Sequence, residues 1–134
     1  MRQKAVLTLA AAKKILAAAE SEALKHQWPV VIAVVDDGGH PLCLSRLDGA
    51  QHGSVDIAIA KAQAAVAFKR PTRAWSEALT GGRLGVLGLP GVVPAEGGLP
   101  VVLDGSIIGA IGVSGVQPHE DGQVALAGTA VTLA

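Results

Sequence analysis

The stretch Pro29-Val30-Val31-Ile32-Ala33-Val34-Val35-Asp36-Asp37-Gly38-Gly39-His40-Pro41-Leu42-Cys43-Leu44-Ser45-Arg46-Leu47 decides the fold. Val30 to Val35 is an unbroken apolar run in which every residue but Ala33 is β-branched. That is the pattern of a strand covered on both faces. Asp36-Asp37-Gly38-Gly39 is a turn signal, and Pro41 to Leu47 follows as a second strand, so the two pair as an antiparallel hairpin. A second hairpin lies downstream: Leu99 to Leu103, the tight turn Asp104-Gly105, then Ser106 to Val116. Two hairpins in place of β-α-β crossovers predict an antiparallel sheet flanked by helices, an α+β layer fold.

The helices fill the remaining chain. Thr8 caps a helix running to about His26, with Leu9, Ala12, Leu16 and Ala19 on one face, widened by Ile15. Trp28-Pro29 ends it, because the residue before proline is pushed out of the helical region. Ser54 is expected to cap a second helix whose stripe is Val55, Ala58, Ile59, Ala62 and Val66, with Asp56, Lys61 and Gln63 off that stripe. Arg70-Pro71-Thr72 stops it, and a short helix is expected from Ala74 to Leu79. Gly81 to Gly98 reads as a long loop without a clear period, and a loop of that length is usually functional or mobile. A last helix starts near Pro118, with Glu120 and Asp121 at its positive end, and is expected to reach the C-terminus. The order is α-β-β-α-(α)-loop-β-β-α, read as one domain over residues 1–134.

Composition narrows the function. At 134 residues the chain can bury a core without metal or disulfide staples. Lysine plus arginine balances aspartate plus glutamate at 11 each, and the only aromatic rings besides histidine are one Phe and two Trp. No global field and no stacking platform favour nucleic acid. The apolar surplus is carried by small side chains, so burial is expected to be completed between copies, in a homo-oligomer. Cys43 cannot form an internal disulfide and reads as a small buried hydrophobe, which suits a cytoplasmic location. Arg2 and Lys4 ahead of an apolar stretch loosely mimic a secretory signal, but Lys13-Lys14 cut it short, and no run suits a membrane span.

Fixed charges and glycines gather at the ends of the apolar runs, where folds present sites. One block is Arg46-Leu47-Asp48-Gly49-Ala50, Lys61-Ala62 and Phe68-Lys69-Arg70-Pro71-Thr72. The other is Glu96-Gly97-Gly98-Leu99-Pro100, Gly109 to Gly115 and Asp121. With Val34-Val35-Asp36-Asp37-Gly38-Gly39, and in this order and spacing, they resemble the GlcG/HbpS family, a domain also found as the C-terminal part of PduO-type proteins. The resemblance covers nearly the whole chain. It implies a profilin-like α+β domain that assembles into dimers and higher oligomers. Some relatives bind haem, and others lie among genes for small organic acid or aromatic breakdown. Two positions depart from the family pattern: Leu47, where methionine is common, and His40, at a variable position.

Each candidate carries two readings. Arg46 can grip a carboxylate in bidentate fashion with Asp48 orienting it, or the two can pair and pin the loop. Gly97 and Gly98 let backbone N–H groups approach an anion, with Glu96 as a proton carrier, or they form a turn at a packed interface. Lys61 can neutralise an anionic ligand, or it is a solvated lysine. Ser114 fails the G-x-S-x-G elbow because position 116 is Val, and reads as a local hydroxyl. Of His26, His40, His52 and His119, the pair His40 and His52 brackets the strand carrying Arg46 and is placed on one edge of a pocket. No histidine spacing matches a zinc site, so no metal is expected. No C-x-x-C-H, no Tyr and a terminal Met1 leave haem only a non-covalent histidine site, which rests on the resemblance. Phosphate-loop and dinucleotide signatures are missing.

These readings converge on an oligomeric small-ligand-binding protein. Its pocket is walled by residues 46–52, Lys61, residues 96–98 and the start of the last helix, and takes a haem-like tetrapyrrole or a small carboxylic acid. The alternative is a cofactor-independent enzyme doing hydrolytic or deaminating acid–base chemistry on a small organic acid or aromatic-degradation intermediate. Glu96, His52, His40 and Asp121 are then its proton carriers. A third reading is a structural accessory subunit whose motif glycines serve interfaces.

Overall fold

The computed structural model describes residues 1–133. Helix α1 spans Leu9–Lys25, and the Thr8 side chain accepts from the Ala11 N–H at 3.1 Å, closing its N-terminus. Strands β1 (Val31–Asp36) and β2 (Pro41–Arg46) form the first hairpin, and β3 (Gly98–Leu103) and β4 (Ser106–Ser114) the second. Between them run α2 (Gly53–Ala67) and α3 (Arg73–Thr80), and α4 (Pro118–Thr129) follows the sheet. The sheet is antiparallel throughout, in the order β2-β1-β4-β3. This is the expected α+β architecture with the expected element order.

Alternation along β1 builds three layers. Val30, Ile32 and Val34 join Ile111 and Val113 of β4 in a core packed under Ile15 of α1 and Val124 of α4. Val31, Ala33 and Val35 face the other way, onto Ala58, Ala62 and Ala65 of α2. Both faces of β1 are therefore covered, as the apolar run requires. The α2 face is thin because its side chains are alanines. Gly112 of β4 completes the fit: a Cβ there would lie 1.9 Å from the Ala58 carbonyl oxygen. The Asp104-Gly105 turn has positive φ at both residues (49° and 78°), the geometry such two-residue turns need.

Several local expectations change. Ser54 does not cap α2. It lies inside the first turn, buried, with its hydroxyl bonded to Ser114 and Gln51. Tertiary hydrogen bonding has claimed the group that a cap would use. Residues 84–88 of the long loop form a short 3₁₀ turn, Leu84–Gly88, held by buried Val86. The last helix stops at Thr129, short of the C-terminus. Cys43 is half-buried, since β2 is an edge strand with one face less fully covered, and burial still pushes its thiol pKa up. No described helix is long and apolar enough to cross a membrane.

Candidate functional site

The two motif blocks meet at one end of the sheet. Val31, at the start of β1, pairs with Arg46 at the end of β2 and with Ser114 at the end of β4. Gly98, at the start of β3, lies opposite Gly112. Antiparallel pairing alone gathers these positions, and the short connections bring the first turns of α2 and α4 to the same end.

Beneath that end lies a buried ion pair. Lys61 of α2 is 3% exposed and Asp121 of α4 is 2% exposed. The Lys61 Nζ donates to Asp121 Oδ2 at 3.2 Å and to the Val113 carbonyl at 2.9 Å, while Asp121 Oδ1 accepts from the Val116 N–H at 3.1 Å. Burial pushes the Asp121 carboxyl pKa up, opposed by the Lys61 charge and by backbone N–H groups. The pair joins helices packed on opposite faces of the sheet. Lys61 is thus not the solvated lysine of the second reading; its ammonium lies buried beneath Gly97. Its off-stripe position in α2 looked like surface because the sequence does not show that α4 covers it.

Gly97 and Gly98 form a lid over this pair. A Cβ on Gly97 (φ 134°) would stand 2.5 Å from the Val113 oxygen and 2.8 Å from the Lys61 Nζ. One on Gly98 would stand 2.5 Å from the Lys61 carbonyl oxygen. Thr72, fully buried, clasps Gly98 from both sides: its hydroxyl accepts the Gly98 N–H at 2.9 Å, and its own N–H donates to the Gly98 carbonyl at 3.0 Å. The outer face of this lid floors a cavity of about 240 Å³, walled by Glu96, Arg73, Pro71, Leu99 and Leu126. Glu96, half-buried, packs its carboxylate on Gly122, where a Cβ would lie 2.3 Å from Oε2. Among the described residues the Gly97 N–H finds no acceptor. Thr72 and Arg73 carry weight that sequence reading missed. Arg70-Pro71-Thr72 reads as a helix stop and as part of the first block, which assigns no role to Thr72, whose hydroxyl the fold turns inward.

Arg46 and Asp48 line a different cavity, of about 390 Å³, with Leu24, Gln27, Trp28, Pro29 and Leu47. They form no ion pair with each other, so the loop-pinning alternative is not what the structure shows. No residue lines both cavities. Read from the sequence, these residues surround one pocket; here Arg46 and Asp48 line one cavity and Glu96, Gly97 and Gly98 another.

The proton-carrier candidates are spread out. His52 is exposed just ahead of α2, and His40 is exposed in the β1–β2 turn, at the far end of β2 from Arg46. Glu96 lines the glycine-floored cavity, and Asp121 is sealed behind it. Ser114 donates its hydroxyl to Ser54 at 3.2 Å within the core. Among the described residues no group of three or more metal-ligating side chains is placed to hold an ion.

Haem makes a definite demand on this geometry. It needs an axial side chain facing an apolar slot. The three cavities, including a basic one lined by Arg2, Lys4 and Lys69, have no His, Cys, Met or Tyr in their walls. His26 is occupied, stacked on Trp28 at 4.3 Å and 3.1 Å from Glu22. These three cavities offer haem no axial ligand from the chain that forms them.

Comparison with known proteins supplies the lineage. A family model described as haem degrading protein, HbpS-like, matches residues 7–130. Protein GlcG of Escherichia coli strain K12 is 44% identical over 107 residues, 80% of each chain. A Streptomyces reticuli HbpS double-mutant crystal structure superposes with a TM-score of 0.88 at 37% identity, covering 97% of this chain and 89% of that one. A crystal structure of a PduOC–haem complex superposes at 0.86 with 29% identity, covering 96% of each. The motif blocks, the sheet they converge on and these matches agree: the chain belongs to the HbpS-like family.

Proposed function

We propose that this protein is a homo-oligomeric binding protein for a small organic acid, held in the glycine-floored cavity. The observation that carries the reading is the Gly97 N–H, buried and without an acceptor, in a cavity that Arg73 also lines. Arg73 donates its Nε–H to Glu77 at 2.8 Å and offers its terminal N–H groups, so a carboxylate accepts from both, and the Glu96 carboxylate accepts from a donor group elsewhere on the ligand. Three glycines and the Thr72 clasp fix the floor, so the site is formed before the ligand arrives. Self-association is supported by exposed Leu84, Leu87 and Leu89 on the segment after α3.

Haem is the second reading, supported by the relative crystallised as a PduOC–haem complex. Because one chain's cavities lack an axial ligand, that reading places haem between copies, against a surface histidine. Calorimetric titration with lactate, benzoate and succinate, beside haemin titration followed by Soret absorbance, tests the two. Saturable acid binding that Arg73→Gln weakens about tenfold supports the proposal. A stoichiometric Soret band abolished by one histidine change, with no acid binding, overturns it for the haem reading. Acid turnover lost in a folded Glu96→Gln variant moves the protein to the enzyme reading.

A further inference from the structure

The cavity at the end of β2 is built differently and asks for a different ligand. Arg46 and Asp48 both line it, two residues apart, and both are exposed. Among the described residues neither makes a salt bridge or a side-chain hydrogen bond, although Lys4–Asp37, Glu22–His26 and Arg73–Glu77 all pair elsewhere on this surface. Opposite charges that share a cavity without meeting leave room for a ligand between them. Leu24, Trp28, Pro29 and Leu47 supply an apolar wall.

That wall is held firmly. Gln27 adopts a left-handed conformation (φ 59°), which ends α1 and swings Trp28 back, and the Trp28 N–H donates to the Ala23 carbonyl at 2.9 Å. His26 stacks on the indole with 17° between planes. His26 is itself fixed by Glu22 at 3.1 Å and Gln123 at 3.2 Å. The indole is therefore positioned before any ligand binds.

We infer that this cavity is a second, independent site for a zwitterionic α-amino acid with an apolar or aromatic side chain. Arg46 takes the carboxylate, Asp48 takes the ammonium, and the side chain lies along Trp28 and its apolar neighbours. The balanced pair selects against other classes. A simple or dicarboxylic acid meets the Asp48 charge with nothing to satisfy it, and an amine meets Arg46 in the same way. The cavity volume of about 390 Å³ is in the range that small ligands occupy.

The test is calorimetric titration of the full chain with L-phenylalanine, hydrocinnamate, which lacks the ammonium, and phenethylamine, which lacks the carboxylate. L-phenylalanine is expected to bind saturably and at least about tenfold more tightly than either relative. Asp48→Asn should erase the preference over hydrocinnamate, and Arg46→Gln the preference over phenethylamine, with circular dichroism confirming the fold. Trp28→Phe should remove the ligand-induced change in tryptophan fluorescence. Absence of saturable binding by L-phenylalanine, L-leucine and L-methionine overturns the inference. So does a phenylalanine-to-hydrocinnamate ratio that Asp48→Asn leaves unchanged. Failure of acid binding in the glycine-floored cavity does not touch this result, because the two cavities share no lining residue.

Discussion

The cavity beside β3 and the cavity beside β2 open at the same end of one sheet, yet their charges are handled in opposite ways. Beside β3 an opposite-charge pair, Lys61 and Asp121, is sealed under the glycines, its members bonded to each other and to backbone, below the cavity that Glu96 and Arg73 line. Beside β2 the charges of Arg46 and Asp48 stand in solvent, unpaired. A buried pair contributes shape and rigidity, since its members have nowhere else to turn. A solvated pair contributes little to stability and stays free to meet a ligand. The difference separates a site whose floor is part of the fold from one whose charges are spare.

The largest expected effect follows from breaking the sealed side. Asp121→Ala removes the acceptor shared by the buried Lys61 ammonium and the Val116 N–H, which protonation leaves in place, and should destabilise the chain by about 3–5 kcal/mol in urea unfolding. The same experiment repeated across pH reads the sign of the linkage. Because burial raises the Asp121 pKa, its protonation favours the folded state. That contribution is complete below the unfolded-state pKa and is lost as pH rises through the folded-state value. Asp121→Asn should remove this acid-side gain, and a wild-type stability that instead falls with Asp121 protonation would break the picture.

Next comes the lid. Gly97→Ala forces a Cβ toward the Val113 oxygen in a left-handed region and should cost about 2–3 kcal/mol, with weaker acid binding. A neutral result would mean that the floor moves and that the cavity is not preformed. The smallest effect is expected on the solvated side. Arg46→Gln and Asp48→Asn should each change stability by no more than about 0.5 kcal/mol while altering ligand preference. A large loss of stability in either would show that these charges hold the loop after all.

Much of this was legible beforehand. The β-branched run before Asp36-Asp37-Gly38-Gly39 specifies a doubly covered strand, and Asp104-Gly105 specifies a turn, because both are rules about local backbone and nearest neighbours. The motif blocks were visible as charges and glycines out of place in apolar surroundings. What could not be read was which of them share a cavity. Arg46 ends the edge strand β2 and Glu96 leads into the opposite edge strand β3 of the order β2-β1-β4-β3, and no local rule states that order. Lys61 shows the same limit. Its place on α2 is periodic and readable, but its burial depends on α4, which lies about sixty residues later and packs against the other face. Ser54 had the right chemistry for a cap and was diverted by Ser114 across the core. The sequence by itself determined the elements, their hairpin pairing and the family, since these follow from periodicity, turn chemistry and motif order. Only the tertiary structure decided which charges are sealed, which are free and how many cavities they make, because burial and pairing are properties of distances between residues remote in the chain.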